Sequence, residues 1–176
     1  IDLVSLNVSE NDLTDLDVTK NIALEELYCE NNQITTINIE NNTNLVSLNV
    51  NNNNLTDLDV TKNIALLSLN INENNLTTLD VSNNTALKEL YCASNSFTTQ
   101  GYDDLMCSLP EILNQSGAFY PLIDANDANS TIFMESNSNN AIKKNWNVKY
   151  NDKTDIPTTS GKFVCGLIVD RYISLG

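Results

Sequence analysis

The sequence predicts a solenoid of stacked coils with a parallel sheet, followed by a C-terminal region of mixed helix and strand. Three observations predict it. Leu13, Ile34, Leu55, Leu76 and Phe97 recur at a strict period of 21 residues. A repeat of this size is one supersecondary unit that covers its apolar face only by stacking on its neighbours. Within each unit, apolar residues alternate with polar ones as in a strand with one buried side. Two columns of Asn keep the same period: Asn11, Asn32, Asn53, Asn74 and Asn95, then Asn21, Asn42, Asn63 and Asn84.

Each unit consists of two similar halves. Leu24, Leu27, Cys29 and Asn32 exemplify the first, and Leu13, Leu16, Val18 and Asn21 the second. The first half places Leu6, Leu27, Leu48, Leu69 and Leu90 in one inward column and Val8, Cys29, Val50, Ile71 and Cys92 in the next. The second half does the same with Leu16, Ile37, Leu58 and Leu79, and with Val18, Ile39, Val60 and Val81. A short strand is expected in the first half and an extended or short strand segment in the second. The Asn columns fall where the coil must bend and leave backbone groups unpaired. Asn tolerates turn conformations, and its amide both donates and accepts, so stacked Asn side chains satisfy those groups from inside. A carbohydrate-binding Asn row is the minor alternative.

The period breaks after Phe97, where Gln100 replaces the expected Leu and Gly101 ends the repeats. Two regions follow from this: repeats over 1–100, about five coils, and a capping region over 101–176. GYDDLMCSLPEILNQ reads as a helix with Asp103 and Asp104 in its first turn and Tyr102, Leu105, Leu109, Ile112 and Leu113 on one face. Pro110 bends or splits it. AFYPLID and STIFME read as strands, NNAIKKNW as a short helix with Ile142 and Trp146 on one side, and NVKY and KFVCGLIV as further strands. The terminal VDRYISLG belongs either to the cap or to a following module. A solenoid's last coil exposes an apolar face and a strand edge, so it needs such a cap.

The segments LEELYCENNQI, LVSLNVNNNNL, LLSLNINENNL and LKELYCASNSF match the pattern LxxLxLxxNxL. The first hundred residues therefore resemble leucine-rich repeats. The nested LxxLDVxxN half resembles the IRREKO-type repeats of bacterial surface proteins related to internalins. KKNWNVKY followed by DIPTTSGKFVC resembles a flanking segment that recurs after such repeats. The resemblance implies a leucine-rich repeat solenoid of the α/β class with a C-terminal α/β cap. It also implies secretion or surface display in a bacterium, and contacts to host or neighbouring-cell proteins through the first-half sheet, on the concave side.

Composition narrows the function. The formal net charge is −14, split unevenly between −11 over residues 1–100 and −3 over residues 101–176. Nucleic acid and anionic membranes need a basic patch, so neither is an expected partner. No apolar run is long enough to span a bilayer. Ile1-Asp2-Leu3 aligns with Ile22-Ala23-Leu24, so the chain is expected to open in mid-repeat, with signal or anchor outside it. The molecule is expected to be a monomer or to associate weakly through the repeat ends. With no His in the chain, Ser-His-Asp and Cys-His catalysis and His-containing zinc sites are excluded. No Gly-rich phosphate loop is present and no carboxylate pair stands out, so neither an enzyme nor a cofactor is expected.

Cys29 and Cys92 fill one inward column three coils apart, about 14 Å at the stacked-strand spacing and too far to bridge. Cys107 falls off the apolar stripe of its helix and is available to pair with Cys165; two free thiols are the other reading. An outward acid column, Asp17, Asp59 and Asp80, is the one metal candidate, for structural calcium. Thr36 and Asn38 interrupt it.

The best candidate for ligand binding is the outward side of the first-half sheet. Its exposed positions run Ser5, Glu26, Ser47, Ser68, Glu89 and then Asn7, Tyr28, Asn49, Asn70, Tyr91. Tyr28 and Tyr91 are the aromatics on outward strand positions of the repeats. Tyr offers large contact area with little entropy lost and is enriched in interface cores. Glu26 and Glu89 beside them offer charge pairing, and Asn49 and Asn70 lie between. Tyr as a simple strand-forming residue is the competing reading. The chain is thus expected to be a protein-binding module. A structural spacer or assembly element of a larger surface protein is the alternative.

Overall fold

The computed structural model describes residues 2–113, 115–124, 126–159, 161 and 165. Its repeats contribute five three-residue strands: β1 (Ser5–Asn7), β2 (Glu26–Tyr28), β3 (Ser47–Asn49), β4 (Ser68–Asn70) and β5 (Glu89–Tyr91). They pair in parallel without a register slip, Leu6 with Leu27, Leu27 with Leu48, Leu48 with Leu69, and Leu69 with Leu90. The strands are short because each coil must bend again almost at once. The middle residue of each strand points inward, and Leu27, Leu48, Leu69 and Leu90 are buried.

The second half of each unit forms no strand, so its coils follow one another there through non-strand backbone. Its apolar columns are inward as expected: Val18, Ile39, Val60 and Val81 are buried. Between coils, however, its backbone makes isolated contacts, such as the Gln33 N–H donating to the Leu13 carbonyl and the Asn54 N–H to the Ile34 carbonyl. The chain then turns on itself, with the Asn42 N–H donating to the Ile39 carbonyl and the Leu45 N–H to the Asn42 carbonyl. Backbone groups committed to that turn are not free for a ladder.

The first Asn column works as a stitch between coils. The Asn53 amide nitrogen donates to the carbonyls of Cys29 and Val50, and its oxygen accepts from the Ile34 N–H at 2.9 Å. Asn32, Asn74 and Asn95 repeat the pattern. The second column is satisfied on one side only. Asn42, Asn63 and Asn84 each donate to two carbonyls of the preceding coil, but their buried amide oxygens accept no protein hydrogen bond. Just before each first-column Asn, the chain passes through the left-handed region at Glu10, Asn31, Asn52, Glu73 and Ser94, with φ between 52° and 57°.

After the repeats the same sheet continues. Helix α1 (Thr99–Ser108) leads to β6 (Gly117–Leu122), which pairs in parallel with β5. Helices α2 (Ser130–Met134) and α3 (Asn139–Ile142) lead to β7 (Trp146–Tyr150), parallel to β6. The result is one seven-stranded sheet in chain order among the described residues. Tyr102, Leu105, Phe119, Phe133 and Trp146 join the core that the repeats begin. A Cβ at residue 101 would lie 2.7 Å from the Thr77 carbonyl oxygen, so only Gly lets α1 approach the last coil this closely.

Several C-terminal expectations need correction. Helix α1 starts earlier than the sequence suggests, because Thr98 caps it by accepting from the Gly101 N–H at 3.0 Å. Asp103 and Asp104 therefore sit in its second turn, and the helix stops before Pro110 rather than bending at it. STIFME is helical, not a strand. Asp127 starts that turn by accepting from the Asn129 N–H, and only Phe133 of the five helical residues is buried, so the segment has no alternating face. Ile142 and Trp146 do not share a helix face: Ile142 is exposed, and Trp146 opens β7 with its indole N–H on the Pro110 carbonyl. The expected strand in KFVCGLIV and the terminal VDRYISLG lie outside the described residues, Cys165 excepted. Cys107 and Cys165 form a disulfide with Cα atoms 5.4 Å apart, which fastens the stretch after β7 to the end of α1.

Candidate protein-binding face

The strand alternation that buries Leu27 and Leu90 turns their neighbours outward. Glu26 and Glu89 are exposed, and Tyr28 and Tyr91 are half-buried. Register aligns Glu26 with Ser47, Ser68 and Glu89 in one column. Tyr28 aligns with Asn49, Asn70 and Tyr91 in the next. The six sequence-predicted residues thus lie on one side of one sheet, in two adjacent columns. Each Glu also accepts a hydroxyl hydrogen bond from the preceding coil, Glu26 from Ser5 at 2.9 Å and Glu89 from Ser68 at 3.5 Å.

One residue of this face is missing from the sequence reading. Tyr120 on β6 pairs with Tyr91 on β5, and their rings stack at 4.2 Å with planes 6° apart. Tyr120 lies beyond the repeats, so periodicity does not reach it; only the pairing of β6 onto β5 brings it into the column. The signal that was available is the alternation in AFYPLID, which places Tyr120 one residue from the inward Phe119. Burial, reinforced by the nearby Glu89 carboxylate and Tyr120, pushes the Tyr91 phenol above its usual range, so it stays neutral at physiological pH. The Tyr91 ring, backed by the buried Tyr120 ring, loses little freedom when a partner lands on it.

The acid column on the other half of each coil serves its own backbone. Asp17 accepts from both the N–H and the hydroxyl of Thr19, and Asp59 does so from Thr61. These bonds, first the hydroxyl and then the N–H, hold both carboxyls below the usual carboxylate range. Asp80 accepts from the Ser82 N–H. Shallow depressions run between these turns, lined by Asp15, Asp17, Thr36 and Asn38 and by Asp57 and Asp59. Among the described residues, no three acidic, Cys or His side chains converge on a point that would hold a metal ion.

Cys29 and Cys92 are buried free thiols in the inward column. Burial, with a small contribution from Glu30, pushes the Cys29 thiol up to about 12. Burial raises Cys92 as well, with Asp127 adding to it. A thiol that does not ionise is a poor nucleophile, so both act as small apolar fillers. No described helix is long and apolar enough to cross a membrane.

The chain matches no protein-family model and no curated protein. Solved structures do resemble it. The functional domain of InlJ from Listeria monocytogenes, which includes a cysteine ladder, superposes with a TM-score of 0.61 at 25% identity, over 92% of this chain and 36% of that one. An internalin, InlF, from the same organism gives 0.58 at 24% identity, over 86% of this chain and 37% of that one. A leucine-rich-repeat protein of Leptospira interrogans gives 0.54 at 24% identity, over 59% of this chain and 29% of that one. The chain thus spans about a third of the length of each of these proteins. The parallel, in-register sheet and these likenesses agree: the fold is a leucine-rich-repeat solenoid of the internalin kind.

Proposed function

We propose that this chain is the protein-binding module of a bacterial secreted or surface protein and that it takes its partner on the outward face of the sheet, in an adhesive role. Glu26, Tyr28, Asn49, Asn70, Glu89 and Tyr91 make the contacts, and Tyr120, itself buried, backs the Tyr91 ring. The observation that carries this reading is the Tyr91–Tyr120 stack in the same column as Tyr28, on a face otherwise made of Ser, Asn and the two Glu. Aromatic groups held this rigidly are what interface cores use. The likeness to InlJ and InlF supports a protein partner, by fold. The region after residue 100 serves as the cap of the repeat stack, supported by the packing of Tyr102, Leu105 and Phe119 into the common core.

The test is capture of candidate surface proteins by the wild-type chain, by Tyr28→Ala/Tyr91→Ala and by Asp59→Ala/Asp80→Ala. Loss in the Tyr variant alone, with its melting curve intact, is the expected result. Loss in the Asp variant alone would put the ligand on the other half of the coils. Capture unaffected by both would favour the spacer reading.

A further inference from the structure

Two four-residue stretches of the sheet are identical. Glu26-Leu27-Tyr28-Cys29 and Glu89-Leu90-Tyr91-Cys92 occupy the same positions of coils three steps apart. Between them lie only neutral outward residues, Ser47 and Ser68 in the Glu column and Asn49 and Asn70 in the Tyr column. The face therefore presents the same chemical pair twice, a carboxylate beside a phenol ring, separated by a neutral spacer. Among the described residues, neither carboxylate forms an ion pair. The ion pair found among the described residues joins Lys149 to Asp155, beyond the far end of the column. The hydroxyls of Ser5 and Ser68 orient Glu26 and Glu89 without cancelling their charge.

A carboxylate next to an aromatic ring is a receptor for a cationic side chain. The carboxylate supplies charge-assisted hydrogen bonds, which Arg takes through two N–H groups at once, and the ring face attracts the cation through its quadrupole. At the spacing of stacked strands, three steps separate the two pairs by about 14 Å. Four residues of an extended chain cover about the same distance, and residues four apart on such a chain point to the same side. We infer that the face recognises an extended basic segment of its protein partner, laid along the stack across the strands, with one Arg or Lys at Glu26/Tyr28 and a second, four residues away, at Glu89/Tyr91. This rests on the proposed use of the sheet as the binding face and adds the partner's chemistry and spacing. The two subsites are unequal, since the Tyr91 ring is held by Tyr120 while Tyr28 has Asn49 beside it. The end near β6 is the stronger one.

The probes are three blocked synthetic peptides of Ser and Thr carrying two Arg, placed two, three or four residues apart and otherwise matched. Binding is measured by calorimetry with the whole chain. The peptide with Arg four apart is expected to bind about tenfold more tightly than the other two, because its second contact forms at high effective concentration. Glu26→Gln and Glu89→Gln are expected to remove that preference, with the larger loss of affinity at Glu89. Both substitutions keep the hydrogen-bond acceptor for the Ser hydroxyl, and unchanged circular dichroism verifies the fold. Equal affinity for all three spacings, which net charge alone would give, overturns the inference. So does a preference that survives the Gln variants, or no binding up to about 1 mM peptide. If the Tyr28→Ala/Tyr91→Ala chain still loses its protein partner while the peptides show no spacing preference, the binding face stands and the two-cation recognition falls. If partner capture fails only in the Asp59→Ala/Asp80→Ala chain, both fall.

Discussion

At the scale of single residues, the five left-handed turn positions show how a repeat tolerates variation. Asn31 and Asn52 sit at φ 57° and 52°, where Asn is among the non-Gly residues that fit, and the Asn52 amide donates to the Asn31 amide oxygen at 2.8 Å. Glu73 occupies the next place at φ 52° and gains nothing comparable from its exposed side chain. Glu73→Asn relieves that backbone cost and offers a third rung to the Asn ladder. It is expected to stabilise the chain by about 0.5–1 kcal/mol, a rise in Tm of roughly 1–4 °C. An unchanged or lower Tm by scanning calorimetry would show that the turn accepts Glu without strain. These positions keep the 21-residue period, but the sequence does not reveal their backbone conformation, since Glu, Asn and Ser do not announce a positive φ as Gly would. The inward Leu and Asn columns were legible for the opposite reason: stacking demands the same chemistry at every step. Tyr120 was illegible because no period reaches it.

Among the elements, α1 carries the least expected feature, an acid buried in its second turn. Asp103 is almost fully enclosed, and its carboxylate accepts from the Asn137 N–H at 2.8 Å. Burial, with the Asp104 carboxylate adding to it, raises the Asp103 carboxyl above its ordinary 3.8 against the opposing effect of that hydrogen bond. Between the unfolded and the raised folded value, the folded chain therefore binds more proton here than the unfolded chain. The associated stability is fully present below pH 3.8 and is lost as pH rises through the raised folded value. Asp17, Asp59 and Asp152 act in the opposite sense: their lowered carboxyls contribute stability above 3.8 that is lost as pH falls. Asp103→Asn keeps the acceptor for Asn137 and removes the charge. At pH 7 it is expected to melt a few degrees higher than wild type, and the gap should close as pH falls toward 4. A gap that is constant across this range in paired melting curves would remove the titration argument. The sequence misled here because Asp103 reads as a first-turn acid serving the helix dipole; the earlier start at Thr98 moves it inward. In the same way, STIFME looked like a strand because its β-branched residues carry no information about the Asp127 turn that precedes it.

For the molecule as a whole, the repeats and the region after them form one sheet and one core, but they are fastened differently. Stacked coils depend only on their neighbours. The disulfide from Cys107 to Cys165 spans 58 positions of the chain and closes a loop that no repeat contact closes. Closing a loop of that length contributes about 4 kcal/mol in the chain-entropy account. Reduction is therefore expected to lower Tm and to raise hydrogen exchange first in α3 and the residues after β7, before the coils. Intact mass should lie two units below the fully reduced value, and alkylation should label Cys29 and Cys92 only after denaturation. Labelling of four thiols in the native, unreduced chain would contradict both the bridge and the inward column. The pairing stays open in the sequence because Cys107 sits on a helix and Cys165 past β7, and their approach depends on tertiary contacts: α3 packs on α1, and Asn140 of α3 accepts from the Cys165 N–H.

The in-register ladder from Leu6 to Leu90 makes the sheet a ruler. Each coil advances every outward column by one strand spacing, about 4.8 Å, and changes nothing else. A position on this face is therefore addressed by two independent coordinates: the column, fixed by the place in the 21-residue unit, and the tick, fixed by how many units precede it. Duplicating a unit such as 51–71 would leave the Glu26/Tyr28 and Glu89/Tyr91 pairs chemically intact while moving them from three ticks apart to four. The length of the object measured then follows from the count of coils alone, so gain or loss of a unit can reset what such a surface fits without redesigning any contact.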